Sequence, residues 1–392
     1  MLVGLDQLVR GDALADELTK RRVALLAHPA SVDRHFRHIS TVLAELGVVP
    51  VMIFGPEHGY GGEAQDMIGV SDARDATGVP IVSLYGETFD ALTPTDAHLD
   101  GVDVLLVDLA DIGTRFYTFI WTAVLAVRKA LHRGIEVVLL DRPNPLDGQT
   151  IEGRLQEPRF LSFVGLHPIP VRHALTIGEI VALFTQGLGG RLRIVPVKGW
   201  ERGRDATGWD RPFVITSPNM PTLDTALVYP GGCLVEGTNL SEGRGTTRPF
   251  ELVGAPFLDG KALARELNAL RLPGFAARAV TFLPTFQKHA RTLCGGVQIH
   301  VTDPTAFRPY ATYIALVALA KWQAPNAFVW RTEKYEFVDD IPAFDLLTGS
   351  SAVRVAIDSA SDVRDILGLA CPVDATWPDA AEQARALVQT RH

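Results

Sequence analysis

The chain has 392 residues, 47% of them hydrophobic and 21% charged, which is enough for two domains with a sizeable core. Its net charge of −8 and the absence of a basic block argue against nucleic acid or an anionic membrane surface as the main partner. No signal peptide or membrane span is predicted, and the widely spaced Cys233, Cys294 and Cys371 indicate a reducing compartment, so we expect a cytoplasmic protein.

The first half of the chain alternates short apolar runs with helical patterns. Strands are predicted at 22–27, 49–54, 80–84, 102–109, 135–140 and 192–197, and helices at 39–46, 118–133 and 177–184. The run 102–109 is almost continuously apolar, as in a central parallel strand that is covered on both faces. This alternation predicts an α/β fold with a mostly parallel, doubly wound sheet.

The pattern changes at the proline-rich stretch 217–222 and the glycine-rich stretch 229–250. Beyond them, helices are predicted at 261–270, 310–322 and 380–392, and strands at 278–282 and 297–301. We therefore expect two domains, 1–225 and 226–392, the second of α+β type.

Many polar side chains follow the predicted strands of the first domain. They are His28, Glu57, His58, Tyr85, Asp108, Asp111, Arg115, Tyr117, Asp141, Arg142 and Asn144. In an open parallel sheet, ligands bind beyond the carboxyl ends of the strands. A solvated loop would also be polar, but rarely with so many ionisable groups directly after apolar strands, so we expect these residues to line a site.

The loop 55–63, with the sequence GPEHGYGGE, is the densest of these segments. Its glycines allow tight turns close to a ligand, and Glu57, His58 and Glu63 can donate or accept protons. The alternative is a glycine-rich turn in which Glu57 caps the next helix. Spacing alone does not separate the two interpretations.

A second polar segment, 236–250, contains Glu236, Asn239, Glu242, Arg244 and Arg248. It is not a Walker loop, because no Gly-Lys-Ser/Thr follows its glycines. Arginine forks suit the recognition of a planar carboxylate, so this segment could bind an acidic group of a substrate. A salt-bridged hinge between domains is the alternative.

The sequence lacks the motifs that are typical of several well-known classes of enzyme. No GxGxxG follows a strand, and neither GxSxG nor HExxH occurs, so we expect no dinucleotide cofactor. His58, Asp108, Asp111 and Asp141 are residue types that bind divalent ions, but their spacing is not diagnostic. We therefore favour structural hydrogen bonding for them and expect neither a metal nor a cofactor.

Seven long strings resemble the exo-β-N-acetylmuramidase family. They are GPEHG at 55–59, SLYG at 83–86, DRPNPL at 141–146, SFVGLHPIPVRH at 162–173, SPNMPTLDTALVYPG at 217–231, EGTNLSEGRGTTRPFE at 236–251 and CGGVQIHVTD at 294–303. The resemblance spans nearly the whole chain. It implies a Rossmann-like N-terminal domain, a smaller C-terminal domain that closes a cleft, and release of terminal non-reducing N-acetylmuramic acid from peptidoglycan fragments.

Two features depart from the family pattern. Many relatives carry an export signal, which is not predicted here, and His28-Pro29 stands where an asparagine is expected. The first departure bears on where the enzyme meets its substrate, and the second on how the subsite is tuned.

If the chain is a glycoside hydrolase, one carboxylic acid must protonate the leaving oxygen and a second group must act at the anomeric carbon. We expect Glu57 to be the general acid, with a pKa raised by burial, and His58 either to orient it or only to bond the loop backbone. The second group stays open. Its candidates are Glu63, Asp108, Asp111, Glu236, Glu242 and the acetamido oxygen of the substrate.

Muramic acid also carries a lactyl carboxylate, which needs a cation. Arg115, Arg142, Arg244 and Arg248 are the candidates. Tyr85, Tyr117 and Trp121 could stack on the sugar, although the helical pattern around Trp121 favours core packing.

Two other functions fit the same residues. One is a muropeptide- or sugar-binding protein without turnover, and the other is a metal-dependent hydrolase that uses the aspartates at the strand ends. In each case the expected partner is a small molecule, here a muramic-acid-terminated saccharide.

Overall fold

A computed structural model describes residues 1–10, 13–62, 64–65, 73–75 and 77–390. Its strands are β1 Val23–Ala27, β2 Met52–Gly55, β3 Ala73–Arg74, β4 Pro80–Ser83, β5 Val104–Asp108, β6 Glu136–Leu140, β7 Leu192–Val195, β8 Leu252–Ala255, β9 Phe275–Phe282 and β10 Cys294–Val301. Its α-helices are α1 Gly4–Val9, α2 Ala13–Leu18, α3 Ile39–Glu45, α4 Phe119–His132, α5 Ile177–Phe184, α6 Leu223–Gly232, α7 Gly260–Ala269, α8 Pro309–Gln323, α9 Ala343–Thr348, α10 Ala352–Asp358, α11 Val363–Ala370 and α12 Trp377–Gln389.

The larger sheet has seven strands in the order β3-β4-β2-β1-β5-β6-β7. Every neighbouring pair is parallel except β3 and β4. The chain moves outward from β1 in one direction and then returns to continue from β5 in the other. This reversal between β1 and β5 is the feature of doubly wound sheets that opens a crevice at the carboxyl ends of the strands. The predicted α/β fold is confirmed.

The central strands are buried on both faces, which explains their continuous apolar sequence. In β1, Ala24 and Leu26 face one apolar cluster, whereas Leu25 and Ala27 face the other. Side chains alternate between the two faces of a strand, so a strand that is covered by helices on both sides needs an apolar residue at every position.

The second unit is built on an antiparallel sheet of three strands in the order β8-β10-β9. Helix α7 packs on this sheet, and α8 packs against α6 and α7. One apolar cluster continues from the larger sheet into these helices, so the two units share a core. The boundary at residue 225 stays a prediction; Thr225 lies in the first turn of α6.

Helix α6 lies in a stretch where the sequence pattern predicts no regular element. It contains Pro230 and ends in two glycines. A Cβ at Gly231 would contact the carbonyl oxygen of Pro309 and lie 2.6 Å from the Tyr313 ring. Gly231 therefore allows the two helices to approach each other closely. The composition of this segment is equally typical of a loop, so composition alone does not predict a helix here.

The C-terminal helix α12 returns to the first unit and packs on α5. The indole nitrogen of Trp377, which is 3% exposed, donates a hydrogen bond to the carbonyl of His173 at 3.1 Å. The end of the chain is thus fastened to the helix layer of the larger sheet.

Candidate functional site

A small cavity, the Glu57 cavity, lies where the carboxyl edge of the larger sheet meets the second unit. The first unit contributes the loop after β2, the segment that enters α4 and residues 217–220. The second contributes α6, the loop before β8 and the turn 335–338. The cavity is lined by Glu57, His58, Phe116, Tyr117, Thr118, Phe119, Val164, Ser217, Asn219, Met220, Tyr229, Glu236, Arg244, Phe250, Tyr335 and Glu336.

Glu57 stands two residues beyond β2, and its side chain lines the cavity. The loop can turn there because Gly55 packs against the backbone of Tyr60, where a Cβ would clash. Glu57 is 6% exposed, and its Oε2 accepts a hydrogen bond from the hydroxyl of Thr118 at 2.7 Å. Thr118 directly precedes α4, so the carboxyl group lies near the amino end of that helix, where the helix dipole favours negative charge.

His58 fixes the shape of the same loop. Its backbone is in the left-handed region, with φ 70°, and its Nδ1 lies 2.8 Å from the carbonyl oxygen of Ala64. Because a carbonyl only accepts, Nδ1 donates this hydrogen bond. This hydrogen bond to the backbone is the one expected if His58 stabilises the loop.

The second unit brings a buried charge network to the opposite wall. Arg244 donates to Glu236 at 2.6 Å and lies 3.3 Å from Glu242. The hydroxyl of Tyr335 donates to Glu236 at 2.8 Å, and Lys288 bonds Glu242 at 3.0 Å. Burial raises the pKa of Glu242, but the charges of Lys288 and Arg244 outweigh it and hold this pKa below its ordinary value. The network keeps Arg244 against the cavity.

Aromatic side chains complete the walls. The ring of Tyr117 packs against Phe119 and Tyr229, with centroid distances of 4.8 and 5.8 Å. The hydroxyl of Tyr117 donates to Thr216 at 2.6 Å, and burial raises its pKa well above the ordinary value. Apolar ring faces beside hydroxyl and amide groups form a surface that suits a sugar ring.

Asp111 and Arg142 line a second, separate cavity. Arg142 donates hydrogen bonds to both carboxylate oxygens of the fully buried Asp108, at 2.5 and 2.7 Å. This ion pair therefore has a structural role. Oδ2 of Asp111 accepts the backbone N–H of Gly113 at 2.7 Å.

His28 and Asp141 are buried outside both linings. Nε2 of His28 accepts the backbone N–H of Ala110 at 2.9 Å, and burial, together with the charge of Arg142, lowers the His28 pKa to about 3. Asp141 accepts bonds from Thr176 and Gly178 at the start of α5. Burial and the neighbouring Glu179 raise the pKa of Asp141 to about 7.

Arg115 lies in the core. It is fully buried and donates to the backbone carbonyls of Ile169, at 3.0 Å, and Leu347. Burial lowers its pKa to about 10. Trp121 is also fully buried and donates to the carbonyl of Arg115 at 2.7 Å, which confirms core packing for this residue.

Three other candidates bond elsewhere. Asn144 donates to the carbonyl of Leu175, and Asn239 donates to that of Ala327. Arg248 is 42% exposed and pairs with Glu251. None of the three contributes to the lining of the Glu57 cavity.

Of the remaining candidates, Tyr85 stands behind the cavity wall and donates to Glu336 at 3.2 Å. Glu63 lies outside the described residues. His58, Asp108, Asp111 and Asp141 do not converge: within the described ranges, no three His, Cys, Asp or Glu side chains form a metal-type group. No helix in the described part of the chain is long and apolar enough to cross a membrane.

Several lining residues were not singled out from the sequence. Ser217, Asn219 and Tyr229 belong to the string 217–231, so the resemblance marked their segment but not their roles. Tyr335 and Glu336 lie in the sequence KYEFV, which has no motif and follows no predicted strand. Only the packing of the two units brings them to the cavity.

Comparisons with known proteins bear on the whole chain. Models of the N- and C-terminal domains of exo-β-N-acetylmuramidase NamZ match residues 23–224 and 227–383. Peptidoglycan β-N-acetylmuramidase NamZ from Bacillus subtilis strain 168 is 43% identical over 356 residues, which is 90% of this chain and 83% of the relative.

Crystal structures of two DUF1343 family proteins from Bacteroides fragilis NCTC 9343 have the same fold. Their TM-scores are 0.84 and 0.70 at 28% and 26% identity, and each match covers 100% of this chain and 98% of the other. The family resemblance of the sequence strings is thereby confirmed, and the chain belongs to the exo-β-N-acetylmuramidase NamZ family.

Proposed function

We propose that this protein is an exo-acting β-N-acetylmuramidase that hydrolyses terminal, non-reducing N-acetylmuramic acid from peptidoglycan fragments. The observation that carries the proposal is the Glu57 carboxyl group, buried in a cavity that both units line. The Bacillus subtilis relative is a peptidoglycan β-N-acetylmuramidase, which supports the same reaction. The partner is then a small saccharide, and a cytoplasmic location stays a prediction from the sequence.

Glu57 acts as the general acid. When the bond between C1 and the glycosidic oxygen breaks, Glu57 transfers its proton to that oxygen, which leaves with the bonding electron pair. Thr118 holds the carboxyl group through Oε2, so the proton to be transferred resides on Oε1. His58 positions Glu57 through the bond that its ring makes to the loop backbone.

Arg244 is the cation for the lactyl carboxylate. Of the four arginines considered from the sequence, it is the one that lines the cavity. Arg115, Arg142 and Arg248 bond protein groups elsewhere. Glu236 and Glu242 flank Arg244 and fix the direction of its guanidinium group. They also neutralise part of its positive charge, so the remaining part attracts the lactyl carboxylate.

The test is release of 4-nitrophenol from the 4-nitrophenyl β-glycosides of N-acetylmuramic acid and N-acetylglucosamine. We expect release from the muramide in clear preference to the glucosaminide. Glu57→Gln keeps the size of the side chain and its bond to Thr118 but removes the proton donor. It should fold normally and lose about 10²–10⁴-fold in kcat on a muramic-acid-terminated disaccharide, whose sugar leaving group needs the proton. The loss on the 4-nitrophenyl muramide should be smaller, because 4-nitrophenolate leaves with little need for a proton.

Glu87→Gln is the matched control, because Glu87 is exposed on the loop after β4. Full turnover of the disaccharide by Glu57→Gln would refute the assignment of the acid. Equal cleavage of both glycosides would refute the role of Arg244. Tight binding of the muramide by the wild type without any release would point instead to a binding protein.

A further inference from the structure

The turn 335–338 has an unusual backbone. Tyr335 and Val338 exchange backbone hydrogen bonds of 2.8 and 3.0 Å, and the two residues between them have φ values of 45° for Glu336 and 71° for Phe337. Two successive left-handed residues are typical of type I′ turns, which favour Asn-Gly and Asp-Gly. Glutamate and phenylalanine are strained there, and such strain concentrates at functional sites.

Contacts with the first unit hold the turn in place. The Phe337 ring packs against Tyr85, Phe163 and Phe89, with centroid distances of 5.7, 6.0 and 6.1 Å. The hydroxyl of Tyr85 donates to Oε2 of Glu336 at 3.2 Å. The strained turn is therefore docked across the boundary between the units, and the docking fixes the direction of the Glu336 side chain.

Glu336 lines the same cavity as Glu57 and is 4% exposed. Glu57 reaches this cavity from the larger sheet, whereas Glu336 reaches it from the second unit. Removing carboxylates from water is unfavourable, so a fold that brings Glu57 and Glu336 to one small cavity, beside the Glu236 that pairs with Arg244, does so against a free-energy cost. Glycoside hydrolases commonly use such a pair of carboxyl groups.

We propose that Glu336 is the second catalytic carboxylate, and this inference rests on the proposed function. The negative charge of Glu336 stabilises the positive charge that develops at C1 of a β-linked 2-acetamido sugar as the C1–oxygen bond breaks. The leaving oxygen keeps the electron pair and takes the proton of Glu57. Water supplies the hydroxyl group to C1, and its remaining proton returns to the Glu57 carboxylate, whereas Glu336 neither gains nor loses a proton.

Glu336→Gly separates this role from a structural one. Glycine relieves the left-handed backbone, so the variant should fold with an unchanged or higher unfolding temperature. Its turnover of the 4-nitrophenyl muramide should nevertheless fall about 10²–10⁴-fold. Azide is small enough to enter the space left by the carboxylate, so adding sodium azide should raise the rate and yield a muramyl azide, detected by mass spectrometry.

Glu333→Gln is the control for charge, because Glu333 is exposed three residues earlier and should keep wild-type turnover. Wild-type turnover by Glu336→Gly would overturn the inference. So would a loss of turnover without an azide product, and both results would leave the proposed function intact provided that the wild type is active. A wild type that releases no product would overturn both proposals.

Discussion

Burial decides which ionisable residues near the strand ends can exchange protons. His28 has a pKa of about 3 and is neutral at any physiological pH, whereas Asp141 has a pKa of about 7. Both follow strands of the larger sheet, yet neither reaches the Glu57 cavity. Their shifted pKa values therefore affect the stability of the fold. Proton transfer to a substrate is left to the residues that line the cavity.

The pKa of His28 predicts a pH-dependent contribution to stability. A histidine with a folded pKa below its unfolded value of about 6.5 stabilises the fold above pH 6.5, and this contribution is lost as the pH falls towards 3. His28→Asn removes the titrating group. Its free energy of unfolding should fall about 2 kcal/mol less than that of the wild type between pH 7 and pH 5.

Urea titrations at the two pH values measure this difference. His132→Asn, at an exposed position near the end of α4, is the matched control and should follow the wild type. If His28→Asn also lost as much stability as the wild type between the two pH values, the depressed pKa would be refuted.

Among the elements, the contact between α6 and α8 depends most directly on a single residue. Gly231→Ala would push a methyl group against the carbonyl of Pro309 and the ring of Tyr313. We expect it to lower the free energy of unfolding by about 1–3 kcal/mol because the helices must separate. Chemical denaturation measures the effect.

Gly368→Ala in α11 provides the contrast, because a Cβ there has no neighbour within 4 Å. This substitution should raise the stability by about 0.5–1 kcal/mol, as expected for alanine in place of glycine within a helix. Equal effects from the two substitutions would mean that helix propensity, and not packing, governs both positions.

Elements with a strong local pattern could be predicted, and those shaped by packing could not. The apolar runs that became β1 and β5 were recognisable because both faces of these strands are buried. Helix α6 was not, since its proline and glycines are typical of loops and are accommodated here by close contact with α8. Local sequence predicts an element well only when that element does not depend on contact with one particular neighbouring element.

The same limit applies to the site. Glu57 was accessible to prediction because the position after a parallel strand and the glycines around it are local features. Arg115 occupies a similar position, but its guanidinium turns to the carbonyls of Ile169 and Leu347, which are 54 and 232 residues away in the chain. Glu336 depends on the docking of one unit on the other, for which the sequence has no local signal.

At the scale of the whole molecule, the two units share one apolar cluster, and α12 fastens the second to the first. Trp377→Ala would remove a buried indole and its bond to His173. We expect a loss of about 3–5 kcal/mol in the free energy of unfolding. Because the core is shared, circular dichroism and muramidase activity should still fall together in a single urea transition.

Phe36→Ala serves as the control, since Phe36 is 59% exposed and its replacement should change the stability by less than about 0.5 kcal/mol. If activity in Trp377→Ala were lost at a lower urea concentration than the circular dichroism signal, the units would unfold separately, and the shared core would not make them cooperative.

The return of α12 to α5 also has a mechanical consequence. The polypeptide passes from the first unit to the second near the start of α6 and comes back before α12, so the units are joined at two places. Two covalent connections and one shared apolar cluster hold the units against rotation about each other. The two walls of the cavity are therefore in place before a glycan chain arrives, and the chain must fit the opening between them.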